Sequence, residues 1–263
     1  MLDNLQRLFR YRGLVQTLVT RELKARYRGS VLGFLWSFIN PLLLLLVYTF
    51  VFSVVLPGFR GDLEPYALFL FCGLLPWTWF SSALLESSHS LIANGNLIKK
   101  VLFPVEILPV VAVLSNMFHF FFALPILGLF LLFYTRPVSP FELVWFPVVV
   151  LAQLVLTLGI AFFLSALTVH FRDLRDILGN LLTLWFFSTP ILYPMSQLPP
   201  FGQGLMNLNP FAHLAIAYQE ILFYEGPFGH WKWLLALLAG SFVVFLLGYA
   251  LFDRLRDSFA EEV

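Results

Sequence analysis

The sequence predicts an all-α integral membrane protein. It has six transmembrane helices, an N-terminal amphipathic interfacial helix, and short external re-entrant gate helices before the last span. Three observations predict this. First, 60% of the 263 residues are hydrophobic and only 12% are charged, against about 45–50% apolar and about 25% charged in soluble domains. One water-soluble core cannot hold that excess, so lipid must be part of the solvent. Second, six long apolar segments recur along the chain. Third, the basic residues lie almost entirely on one side of them.

Residues 1–30 form the first region, polar and basic, without the apolar core of a signal peptide. Leu5, Leu8, Phe9, Val15, Leu18 and Val19 recur at helical spacing among the basic residues. That pattern suits a helix lying on the cytoplasmic membrane surface, with packing on a partner as the plainer reading. Residues 31–263 form the membrane domain. Its spans fall at about 33–56, 66–88, 105–133, 143–169, 177–194 and 231–252. Most reach the roughly 20 residues needed to cross about 30 Å of hydrocarbon. The fifth is short by itself, although 174–193 suffices. Spans three and four are long enough to bend, with Pro125 and Pro147 as expected kink points.

Of the 16 Lys and Arg residues, thirteen fall on one side of these spans. Seven precede span one, Lys99 and Lys100 lie between spans two and three, Arg172 and Arg175 between four and five, and Arg254 and Arg256 after six. Only Arg60, Arg136 and Lys232 fall on the other side. The positive-inside rule puts both termini in the cytoplasm.

The external segment 195–230 contains no Lys or Arg. Pro210 to Phe223 reads as a short helix, with Asn209 as N-cap and Pro210 at its first position. It is too short and too interrupted for a normal span, so re-entrant or interfacial helices are expected.

Several chemistries are missing. A net charge of +1 gives no electrostatic basis for binding nucleic acid. The one cysteine, Cys72, excludes an intrachain disulfide framework. There is no phosphate-binding G-x-x-x-x-G-K-[ST] loop, no metal-ligand spacing and no nucleophile elbow. No catalytic residue, metal or cofactor is therefore expected in this chain. His119, inside span three, reads as a packing residue, because a proton relay needs several ionisable groups along one path.

What remains is a possible pathway. Phe34, Phe38, Tyr48 and Phe52, with Pro41 and Leu45, fall at spacings of four and three on one face of span one. Aromatic stripes in membranes usually pack or meet lipid. The functional reading is a lining along which sugars slide, extended by Trp185, Ser188 and Thr189 in span five. Such charge-poor candidates argue against an ion-selective pore. The compact connections IANGNLIKKVLFP (92–104) and HFRDLRD (170–176) read either as positive-inside flanks or as docking surfaces for a cytoplasmic partner.

RELKARYRGSVLGFLWSFINPLL (21–43) resembles the start of span one in type-2 ATP-binding-cassette exporters of bacterial surface polysaccharides. GLLPWTWFSSALLESSHSLIANGNLIKKVLFP (73–104) resembles their second span and coupling helix. FRDLRD (171–176), TPILYP (189–194) and NPFAHLAIAYQEILF (209–223) are similar to their later motifs, in the same order. The resemblance covers nearly the whole chain.

It implies a permease of an O-antigen, capsule or teichoic-acid exporter in the bacterial inner membrane. It implies a homodimer with two cytoplasmic ATP-binding-cassette subunits, which bind the ATP and Mg, and a cargo of lipid-linked polysaccharide. Coupling to the ATPases is implied for Asn94, Asn96, Lys99, Lys100, Arg172, Asp173, Arg175 and Asp176. Arg21, Lys24, Arg26 and Arg28 would meet the anionic diphosphate of the lipid. An external gate is implied at Tyr193, Pro194, Asn209, Pro210, Phe211 and His213. Many relatives carry an Arg near the NPF motif, where this chain has His213. A membrane-embedded transferase acting on lipid-linked sugars is the alternative. It would need an acid or His cluster, and the external segment offers only Glu220, Glu225, His213 and His230. A structural scaffold is the third reading.

The expected topology has a direct test. In a Cys72→Ala background, single cysteines replacing Arg60, Arg136 or Gln203 should react with an impermeant thiol reagent from outside intact cells. Those replacing Leu97 or Asp173 should not, and external labelling at position 97 would reverse the orientation.

Overall fold

The computed structural model describes residues 11–56, 63–100, 104–134 and 139–262; for Lys100, Pro140, Ala260 and Glu261 it describes the backbone alone. Leu5, Leu8 and Phe9 of the expected amphipathic helix lie outside the described residues. All the regular structure described is helical. The first helix, α1 (Arg12–Arg26), leads through a 3-10 turn (Gly33–Leu35) into α2 (Trp36–Phe50), which continues as a π-helical turn (Val51–Val55). The long helices α3 (Tyr66–Ala93), α5 (Ile107–Phe133) and α7 (Trp145–His170) follow, with short α4 (Gly95–Lys100) and α6 (Pro140–Leu143) between them. Then come α8 (Leu174–Phe187), α9 (Pro200–Met206), α10 (Pro210–Leu222), α11 (Trp231–Leu255) and α12 (Phe259–Glu262).

Five stretches among the described residues are long and apolar enough to cross a membrane: Gly33–Val55, Tyr66–Ala93, Ile107–Phe133, Phe141–His170 and Trp231–Ser258. Within the body of a helix the backbone groups are satisfied internally, which is what hydrocarbon demands. α3 is the central helix. Its first half is apolar on all sides, and Leu68 to Leu75 are all buried. A helix apolar all round belongs inside a bundle. α5 and α7 flank it, α10 packs on its N-terminal half, and α11 packs along α7. α2 is the least enclosed, with 11% of its most apolar stretch buried against 78% for α3.

Two expectations change. The fifth span does not run as one helix to residue 194. α8 stops at Phe187, and its 14 residues rise about 21 Å at about 1.5 Å each. Pro190 ends it: the ring removes an N–H, clashes with the preceding turn and pushes Thr189 away from helical geometry. The chain beyond is irregular but buried at Thr189, Pro190, Ile191, Leu192 and Pro194. Its carbonyls find donors, Gln219 Nε2 on Pro190 at 2.9 Å and Tyr66 Oη on Leu192 at 2.9 Å. Irregular backbone at membrane depth is tolerable only when protein covers it in this way. Nor is Pro147 a mid-span kink. It lies in the first turn of α7, where its missing N–H has no intrahelical acceptor to leave empty.

α7 and α11 meet at two glycines. A Cβ on Gly248 would overlap the backbone carbonyl of Gly159, and one on Gly159 would sit 2.6 Å from the backbone nitrogen of Phe245. Small residues permit such an approach, and dispersion between the two backbones replaces the hydrophobic drive that lipid cannot supply.

Gly248→Ala should therefore lower the thermal midpoint of the detergent-solubilised protein and its yield, since overpacking costs about 1–3 kcal/mol. Gly240→Ala on the same helix, where a Cβ meets open space, should leave both unchanged.

Candidate functional site

At the basic end of the bundle, α1 lies against the start of α5. Val19 is buried on Ile107 and Val111, with Leu14, Val15, Leu18 and Leu23 around them. The apolar face of α1 is thus covered by its own chain. Its polar side forms a shallow groove lined by Thr17, Arg21, Lys24 and Arg28. Asn94 terminates α3, its amide donating to the Ser90 carbonyl at 2.8 Å and its own carbonyl receiving the Leu97 N–H at 2.9 Å. α4 follows immediately. Leu97 and Ile98 pack on a buried cluster that includes Phe252 and Phe259 of α11 and α12. Asn96, Lys99, Arg172, Asp173, Arg175 and Asp176 are all exposed. Asn94 and Arg175 line one cavity of about 280 Å³ with Arg21, Glu22 and His89. Residues expected to couple to a partner and residues expected to meet a diphosphate therefore converge. The Lys100 side chain lies outside the described residues.

Arg26 behaves differently from the rest of its basic group. Its guanidinium pairs with the Glu86 carboxylate of α3 and reaches Asn116 Oδ1 of α5 at 3.5 Å. Asn116 Nδ2 donates to the other Glu86 oxygen at 2.6 Å. This cross-brace ties α1 to α3 and α5. Glu86 borders the outer cavity, whereas Arg26 and Asn116 border a deeper one of about 410 Å³. Trp36, Ser37, Asn40, Thr78, Ser82 and His119 also line the deeper cavity. His119 is no fully satisfied packing residue. Its Nδ1 faces Tyr27 Oη at 3.2 Å and Ser37 Oγ at 3.3 Å, while its Nε2 is buried without a partner among the described residues. The sequence displays Glu86, Asn116 and His119 as polar residues in apolar spans, but nothing in it pairs them.

The aromatic stripe of α2 forms its inward face. Phe34 packs on Phe38 and on Phe122 of α5, and Tyr48 packs on Phe52 and on Phe186 of α8. Phe52 is buried, Phe38 and Tyr48 are half-buried, and Phe34 keeps 45% of its surface exposed. Trp185 is half-buried against Trp77 and Phe80, and Ser188 is exposed beside buried Thr189.

At the opposite end Asn209 organises the gate segment. Its Oδ1 accepts from the Phe211 and Ala212 N–H groups and from Trp185 Nε1, and its Nδ2 donates to Thr189 Oγ1 at 3.0 Å. One N-cap thereby locks α10 to the end of α8. Pro210 occupies the first helical position, and Phe211 is buried against Trp77 and Phe80. The Tyr193 hydroxyl donates to the Phe187 carbonyl, and Pro194 is buried. His213 is buried between the rings of His230 and Trp233. Its Nε2 lies 3.0 Å from the Asn207 carbonyl, which only accepts. In the neutral ring pair, Nδ1 then accepts from His230 Nε2 at 2.9 Å. Burial first, and His213 second, hold His230 down to about 4. Glu220 accepts the backbone N–H groups of Gly229 and His230. Burial pushes its carboxyl up, against the pull of those two bonds.

The ABC-2 type transporter family model matches residues 13–223. The chain is similar to the O-antigen export system permease protein RfbA of Myxococcus xanthus, 42% identical across the whole of both chains. It is also similar to the protein of that name from Klebsiella pneumoniae, 35% identical over 94% of each. The polysialic acid transport protein KpsM of Escherichia coli is 24% identical over 78% of this chain and 80% of its own.

The paired histidines predict that the segment expected to gate is acid-sensitive. The folded pKa of His230, about 4, lies below its unfolded value of about 6.5. Its contribution to stability is complete above the unfolded value and is lost as pH falls toward the folded one. The thermal midpoint should drop between about pH 6.5 and pH 4, and His230→Gln should flatten that part of the profile.

Proposed function

The chain belongs to the ABC-2 type transporter family, and we propose that it is the membrane-spanning permease of an ATP-driven exporter of lipid-linked, O-antigen-like polysaccharide. The observation that carries this reading is the 42% identity, end to end, with an O-antigen export permease. The architecture supports it. A bundle of apolar helices carries a compact charged surface at one end and a capped, partly irregular helical segment at the other.

In this reading the chain supplies no ATP site, and two cytoplasmic ATPase subunits bind the nucleotide and Mg. They dock on Asn96, Lys99, Arg172, Asp173 and Asp176, all exposed at the basic end, with the C-terminus of α4 at Lys100 beside them. Asn94 and Arg175, lining the cavity behind that surface, carry the motion inward. Both termini are cytoplasmic. A second copy covers the exposed apolar sides of α2 and α8, where Leu46, Val47, Phe50, Leu181, Leu184 and Phe187 lie uncovered.

Arg21, Lys24 and Arg28, along the groove of α1, meet the diphosphate, whereas Arg26 is held by Glu86. Half-exposed Phe34 and exposed Ser188 border the path, with Trp185, Thr189, Phe38, Tyr48 and Phe52 behind them. Polar contacts of about 0.5–1.5 kcal/mol each and ring contacts of similar size guide a sugar chain without trapping it.

The test is complementation at matched membrane levels in a strain lacking its O-antigen permease, with the cognate ATPase supplied. Export should be restored by the wild-type chain and reduced by combined alanines at Asn96, Lys99 and Asp173. The purified permease should hydrolyse no ATP alone, while the complex should. Export without the ATPase, or no export with it, would overturn the reading.

A further inference from the structure

We propose that the deeper cavity beneath α1 is a binding site for one sugar ring of the lipid-linked cargo. This inference rests on the exporter reading and assigns a place within it.

The cavity's about 410 Å³ falls in the range of small-molecule sites, about 300–1,000 Å³, and its walls suit a neutral polyol. Trp36 and Asn40 lie four residues apart on one face of α2, and Thr78 and Ser82 do the same on α3, so the two pairs face one space. The Trp36 indole is fixed by its Nε1 bond to Ser30 Oγ at 3.1 Å and remains half-exposed. It offers an apolar plane for the C–H face of a ring, while the hydroxyl and amide groups meet ring hydroxyls.

His119 supplies a second, independent observation. Tyr27 Oη and Ser37 Oγ are its only Nδ1 neighbours among the described residues. Those two hydroxyls also bond each other; in the chain Tyr27 Oη to Ser37 Oγ to Nδ1, Ser37 donates to Nδ1 and the neutral ring carries its proton on Nε2. That donor is buried and empty-handed among the described residues, a condition that native interiors rarely leave unexplained. A ligand oxygen in the cavity satisfies it.

Charge separates a sugar from a phosphate. Among the described residues Arg26 is the only cation lining the cavity, and Glu86 and Asn116 already occupy it. Arg21, Lys24 and Arg28, which have no such partner among the described residues, line the groove of α1 instead. Diphosphate recognition and sugar recognition thus occupy two different places, the groove of α1 and the cavity where Arg26 and Tyr27 meet α2, α3 and α5.

The experiment measures equilibrium binding to the permease–ATPase complex in nanodiscs. The probes are a polyprenyl diphosphate carrying N-acetylglucosamine and the same lipid without the sugar. Wild type should prefer the sugar-bearing lipid by about tenfold, the scale of one or two net hydrogen bonds. His119→Ala and Trp36→Leu should each erase most of that preference while leaving the sugar-free lipid's affinity unchanged. His119→Gln, which restores an N–H donor, should keep part of it. Should His119→Ala fail to assemble, Trp36→Leu decides alone. Equal wild-type affinity for the two lipids, or full preference in the variants, would overturn the sugar site and leave the exporter reading standing. Binding of neither lipid to the wild-type complex would overturn both.

Discussion

Hydrocarbon offers no partner to a peptide N–H or C=O, and this one constraint organises the protein. It explains why the described regular structure is helical. It also explains where the chain is allowed to be irregular. Between Phe187 and Pro200 the backbone leaves the helix at membrane depth, and the protein compensates with side chains from its most buried elements. Gln219 serves Pro190, Tyr66 serves Leu192, and Asn209 serves both the start of α10 and the end of α8. Each of these donors or acceptors has an apolar surrounding in which an unmet polar group would be costly. The segment from Ser188 to Leu222 is therefore held by a few side chains whose loss would leave several backbone groups unmet at once.

The helical spans and the N-cap at Asn209 were legible because their signals are local: a long apolar run, or an Asn followed by Pro. The structure ends α10 one residue short of the expected range. The break in α8 was less legible. Hydropathy continues through Thr189 to Tyr193, and only Pro190 marks the change. Which way a face points was not legible at all. Spacing placed Phe34, Phe38, Tyr48 and Phe52 together, but whether they meet lipid, cargo or protein depends on Phe122 and Phe186, far away in sequence. The same holds for Arg26. As one of four basic residues near the start of span one it looked equivalent to Arg21, Lys24 and Arg28, and only the approach of α3 and α5 singles it out.

The cross-brace of Arg26, Glu86 and Asn116 has a second property. It stands between two cavities of different character along the α3–α5 seam. The outer one carries Arg21, Glu22, His89 and Arg175, and the inner one carries hydroxyls, amides and an indole. A partly buried ion pair is weak support for stability, since desolvation offsets its attraction. Its geometric value here is greater, because it fixes where the charged surface ends and the uncharged interior begins.

The glycine contact between α7 and α11 divides the molecule mechanically. Two backbones that touch without intervening side chains cannot slide or rotate past each other without a clash, and packed interiors switch between discrete states rather than deforming. α7 and α11 therefore form one tightly packed pair, joined to central α3 through α7. α2, by contrast, leaves much of its surface uncovered by its own chain. Displacing it would therefore sacrifice few contacts within the chain. Gly33–Val55 is thus the apolar stretch tied least to the rest of the bundle, with 11% of its most apolar part buried.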